Sequence, residues 1–202
     1  MNPSTENQEL KDRLSLIEAM ISEGRRTTER WGWTFVLWGV AYVVAIAWST
    51  WGTSFLAWPV TMIAAGLLTG ILASRVERHR PETTVGRAMG SIWIAMGISM
   101  FVLFLAMGIS RRIEDNVFVA VISTMLAMAN AASSMILKWK VQFACAVVWW
   151  VAAVAACFVS KSQAMIVLLV AIFFGQIVFG LYAMICESRR RRQKGSLGAA
   201  NA

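Results

Sequence analysis

Six uncharged apolar runs, each about one bilayer thickness long, restrict what this 202-residue chain can fold into more than anything else in it. They are Trp31–Trp51, Phe55–Ser74, Ala88–Ser110, Asn116–Leu137, Val141–Ser160 and Ser162–Cys186, and their apolar bodies hold no Asp, Glu, Lys, Arg or His. Roughly 20 apolar residues suffice to cross a ~30 Å hydrocarbon core. A core helix of a water-soluble protein keeps a polar face, whereas these runs are apolar all round. A closed barrel would need strands alternating over ~10 residues, and the runs do not alternate. The expected fold is therefore all-α: a polytopic membrane protein with six transmembrane helices in three hairpins, plus a short N-terminal cytoplasmic amphipathic helix.

The net charge of +8 raises the question of nucleic acid, and its distribution answers it. Of the 19 Lys and Arg, five precede the first run, four lie in the second connection, two in the fourth and five in the tail. Only Arg111, Arg112 and Lys161 fall on the other side. Such an excess on one side sets orientation by the positive-inside rule, so both termini are expected in the cytoplasm and no nucleic-acid partner is implied. The first apolar run follows thirty mixed polar residues and is long enough to stay in the membrane, so it reads as a span and not as a cleaved signal. Cys145, Cys157 and Cys186 lie within or at the end of spans, with no spacing that resembles a zinc site.

Residues 5–23 read as a cytoplasmic helix, with Thr5 as N-cap and Gln8 completing a capping box. Leu10, Leu14, Ile17 and Ile21 form one stripe, a candidate partner-docking face. Two heptads are too short to stand alone, so this helix must dock on something. Its charges are mostly acidic, which argues against a helix lying on lipid. Gly24 is expected to end it. Residues 31–186 then form the six-helix domain, and 187–202 a basic, disordered cytoplasmic tail. Arg189, Arg190, Arg191, Arg192 and Lys194 are placed to contact anionic lipid headgroups.

Small residues recur at packing intervals: Gly66 with Gly70, Gly86 with Gly90, Gly97 with Gly108, and an Ala/Ser-rich fourth span. These are expected to be helix–helix contacts, since lipid removes the hydrophobic drive for association. The lone histidine, His79, sits between Arg78 and Arg80 and reads as a solvated loop residue, not half of a metal pair.

The absence of charge within the spans argues against a proton- or ion-coupled pump. No intramembrane base is available to activate a serine, and no phosphate loop, HExxH or CxxC occurs. No enzyme activity and no cofactor is expected. One polar constellation remains. Tyr42, Asn130, Trp149 and Gln176 each lie roughly 10–17 Å from the cytoplasmic boundary at 1.5 Å per residue, near the midplane. They are expected to face the bundle interior, either bonding helix to helix or lining a small cavity with Trp149, Trp150, Phe173 and Phe174 as its aromatic wall.

Residues 23–44, EGRRTTERWGWTFVLWGVAYVV, resemble the beginning of the first span in uncharacterised bacterial multi-pass membrane proteins, which place a short cytoplasmic helix before a basic, Trp-rich span. The resemblance implies a bacterial inner membrane and no particular activity. The expected function is a non-enzymatic role through protein contacts, as accessory, scaffold or regulatory subunit. Its partner would be a membrane protein, a cytoplasmic protein or a second copy. The alternative is a transporter or channel component for a small neutral or hydrophobic solute.

Overall fold

The computed structural model describes residues 3–52, 56–77, 84–110 and 114–200, and among these every regular element is helical. In chain order they are α1 (Pro3–Arg30), α2 (Gly32–Trp51), α3 (Ala57–Glu77), α4 (Thr84–Ser110), α5 (Asp115–Leu137), α6 (Lys140–Phe158), α7 (Lys161–Ile172) and α8 (Phe179–Ala200). A π turn, Phe173–Val178, joins α7 to α8 without a break. Six helical stretches among the described residues are long and apolar enough to cross a membrane, which makes this a multi-pass membrane protein by length and composition. His79 lies outside the described residues.

Burial divides the spans. The apolar stretch of α5 is 56% buried, whereas those of α3 and α4 are each 11% buried. α5 and α6 form the most extensive pair; α7 packs on both, the π turn on α6, and α2 on α7, the π turn and α8. Small residues on two sides of α5 explain this: Ala127, Ala131 and Ser134 share one face, Ala129 and Ser133 the opposite one, and all five are buried, so neighbouring helices approach closely. α3 packs on α2, and α4 on α5 and α1. Around the pair lies a cluster with Ile122, Leu126, Trp149, Leu168 and Ile172 at its heart. A second cluster, at the end carrying Lys138, is aromatic: Phe35 packs edge-on to Phe179 at 4.9 Å and to Trp93 at 5.1 Å. At the opposite end the Asn116 amide donates to Val159 O (2.7 Å), fastening the start of α5 to the end of α6.

Several expectations need correction. Gly24 does not end α1, which runs from Pro3 to Arg30, so Thr5 lies within the helix and not at its cap. Glycine costs a helix about 1 kcal/mol, but this one is buried, and a Cβ on it would lie 2.5 Å from Val85 Cγ1 and 2.6 Å from Leu137 Cδ2. Close packing, not chain reversal, is its role. The basic tail is helical as far as Ala200 and not irregular, consistent with its Arg, Gln and Ala content and the Glu187–Arg191 pair at 2.8 Å. The anticipated glycine contacts are also misplaced. Gly66, Gly70, Gly90 and Gly97 face open space, with no atom of the described residues within 4 Å of a Cβ built on them.

Close approach occurs instead between α2 and α8. A Cβ on Gly32 would sit 2.9 Å from Gly180 O, and one on Gly180 would sit 2.8 Å from Gly32 O. One turn-pair further along α2, Gly39 meets Ile177 and Gln176 in the same manner.

Candidate functional site

Three regions hold side chains able to do more than fill space. The first is α1, whose two halves differ. Residues 24–30 dock on the bundle. Arg25 Nε donates to Leu137 O at 2.8 Å, and a second guanidinium nitrogen donates to Lys138 O. These carbonyls close α5, where Lys138 takes a left-handed conformation (φ 48°). The last carbonyls of a helix have no partner within it and carry its negative dipole end, so a guanidinium there caps and neutralises it. Glu29, 4% exposed, receives Arg190 of α8 at 3.2 Å. Residues 7–20 are exposed throughout. Of the predicted docking face, Leu10, Leu14 and Ile17 are more than half exposed, and only Ile21 is partly covered. Leu16 and Met20 are exposed too, but are turned roughly 80–120° from that stripe.

Burial raises the Glu29 carboxyl above its ordinary value of 4.5; Arg190 opposes this and Glu187 adds to it, with Arg25 and Arg26 lowering it further in smaller measure. Between the ordinary and the raised value the folded state binds more protons than the unfolded, so stability falls as pH rises through that window. Glu29→Gln is therefore expected to be at least as stable as the wild type at neutral pH, and wild type should approach it on acidification. Arg190→Gln, which leaves a carboxylate buried without its partner, should be the less stable of the two. Thermal loss of helicity in detergent between about pH 5 and pH 8 measures this. A wild type that loses ground to Glu29→Gln on acidification would overturn it.

The second region is the polar set within the bundle. Tyr42, Asn130, Trp149 and Gln176 are all buried. Among the described residues they do not form the interhelical hydrogen bonds considered above. The Asn130 amide donates to Leu126 O of its own helix (2.8 Å), leaving Oδ1 unpartnered, while Trp149 Nε1 and Gln176 Oε1 also lack partners. Tyr42 lies tilted between rings, 6.2 Å from Trp38 and 6.3 Å from Trp58. Trp149 and the π turn do meet: a Cβ on Gly175 would lie 2.9 Å from Trp149 Cε2 and closer still to Nε1. The aromatic wall does not exist. Trp150, Phe173 and Phe174 are 38–52% exposed on the outer surface, because a helical neighbour of a buried residue is turned ~100° away.

Sequence reasoning missed three members of this set. Ser123 Oγ, Ser133 Oγ and both amide atoms of Gln142 are buried without partners among the described residues. Gln142 lies near the start of α6, where an amide is ordinarily solvated, and Ser133 belongs to the Ala/Ser-rich surface read as helix packing. Counted along the helices at 1.5 Å per residue, Gln142, Ser133, Asn130, Trp149, Gln176 and Ser123 stand at successive heights over about 18 Å.

The third region is the basic end of α8. Arg190 engages Glu29, and Arg191 engages Glu187 at 2.8 Å. Arg189 and Arg192 have no ion pair among the described residues and line a shallow groove with Leu181, Met184, Ile185 and Ser188. The side chain of Lys194 is not among those described. Among the described residues no three His, Cys, Asp or Glu side chains gather to hold a metal.

No family model, curated protein or solved structure matches this chain.

Proposed function

We propose that this chain is a non-enzymatic accessory, scaffold or regulatory subunit of a bacterial inner membrane, acting through a protein contact made by α1. One observation carries the reading. The C-terminal part of α1 is locked to the bundle through Gly24, Arg25 and Glu29, while the apolar ridge of its N-terminal part is bare. An apolar ridge on a helix held rigidly in place is suited to a groove on a partner, since the orienting entropy is already spent. The charge asymmetry supports a topology with both termini in the cytoplasm. Packing of α2 on α3, α4 on α5 and α6 on α7 supports three successive hairpins. α1 then projects into the cytoplasm.

The test is a mild-detergent pull-down from native membranes with three proteins: the full chain, a variant lacking residues 1–23, and Leu14→Glu/Ile17→Glu, which spares every anchoring residue. A stoichiometric partner is expected with the full chain and should be lost from both variants. Recovery of the protein alone, or of the same homo-oligomer from all three, would sink the proposal.

A second reading, a path for a small neutral solute, draws on the orphaned polar atoms. Each buried polar group without a partner costs about 1–3 kcal/mol, and such groups call for an explanation such as water or a ligand. A π turn at their midst is the kind of irregularity that recurs at functional positions.

A further inference from the structure

The basic cluster after the last span treats its arginines unequally. Arg190 and Arg191 are spent on Glu29 and Glu187, within the protein. Arg189 and Arg192 border a groove of about 380 Å³ whose other walls are Leu181, Met184, Ile185 and Ser188. Ser188 Oγ donates its proton to Met184 O at 2.9 Å, which directs its hydroxyl hydrogen inward along the helix. From Leu181 to Arg192 is eleven residues, or ~16 Å of helix. The groove is therefore apolar at one end and cationic at the other, over the distance that separates the upper part of an acyl chain from its phosphate. All six lining residues lie on α8, which continues directly from a membrane-spanning stretch.

We propose that this groove is a binding site for an anionic phospholipid, with Arg189 and Arg192 holding the headgroup phosphate and Leu181, Met184 and Ile185 the proximal acyl chain. Two guanidiniums offer forked donors that match phosphate oxygens. Their aliphatic stems extend over the apolar shelf while the charges stay at the interface. This inference rests on the multi-pass membrane character of the chain and is independent of any partner on α1.

Simple attraction of a basic tail to a negative surface would not distinguish one arginine from another, and that is what the experiment uses. The full-length protein is taken from mixed micelles of phosphatidylglycerol and phosphatidylcholine, and retained lipid is counted by native mass spectrometry. Arg189→Gln/Arg192→Gln and Arg191→Gln/Lys194→Gln remove equal charge. The first is expected to weaken phosphatidylglycerol retention by about tenfold or more, two basic contacts at several-fold each, and the second by about twofold at most. Ser188→Trp fills the groove at an exposed position without altering charge, and should reproduce the first loss even if the double arginine variant folds poorly. Equal losses from the two charge-matched pairs, retention unaffected by Ser188→Trp, or phosphatidylcholine held as well as phosphatidylglycerol would each overturn the proposal.

Discussion

Gly180→Leu is expected to leave no monodisperse protein in mild detergent, and Gly32→Leu the same. At this crossing the neighbour of each absent Cβ is the other glycine's carbonyl oxygen, at 2.9 Å from Gly32 and 2.8 Å from Gly180. A side chain can rotate away; a backbone carbonyl inside two helices cannot. Even alanine forces α2 and α8 apart, an overpacking cost of about 1–3 kcal/mol. Leucine would part them by the width of a side chain, withdrawing Phe35 from Phe179. In lipid no hydrophobic drive restores the contact, because the tails are as apolar as the residues exposed. Gly66→Ala/Gly70→Ala provides the contrast: both positions face open space, so thermal stability should be unchanged or slightly higher. Size-exclusion profiles and thermal loss of helicity measure all of these. A Gly180→Leu protein that elutes and melts like the wild type would show that the α2–α8 crossing is not as described.

The contrast also marks how far this fold is legible in its sequence. Length and charge suffice for the spans, because a bilayer admits only long apolar helices and the cost of a buried charge is local to the residue that bears it. Which small residues touch is not local. Gly66 and Gly70 carry the spacing of a packing motif and meet nothing, while Gly32 and Gly180 stand 148 positions apart and meet closely. Spacing identifies a face that could pack; only the partner decides whether it does. Gly24 teaches the same lesson, since its helix-breaking tendency of ~1 kcal/mol is outweighed by contacts with Val85 and Leu137 that lie far along the chain. That Asn130, Trp149 and Gln176 are buried was legible, because a polar group in a long apolar helix is costly unless it faces the interior. For their apolar neighbours, direction around the helix axis was less so. Trp150 and Phe173 lie beside buried residues and face outward, and a π turn resets the direction of everything after it. Gln142 was hidden by its place near a helix start, where an amide is ordinarily solvated.

Trp149→Ala carries the second large effect. Its side chain is fully buried against the cluster of Leu126, Ile172 and Leu168, and truncation to alanine there is expected to cost about 3–5 kcal/mol. Trp149→Phe should behave differently. It keeps most of the ring, removes an N–H that has no acceptor, and withdraws the edge that crowds Gly175. It should therefore cost less than about 1 kcal/mol. In that background Gly175→Ala, worth about 1–3 kcal/mol of destabilisation in the wild type, should become tolerated. A double-mutant cycle reads this directly, and a coupling below about 0.5 kcal/mol would mean that the two sites are independent. The solute-path reading adds a further cost to Trp149→Phe. An indole that donates to water or to a passing solute loses that bond with its N–H, so stability should fall by about the 1 kcal/mol of a hydrogen bond. Swelling of proteoliposomes in a small neutral solute should fall with it. If Trp149→Phe leaves both unchanged, the indole N–H is buried dry and the solute-path reading loses its support at Trp149.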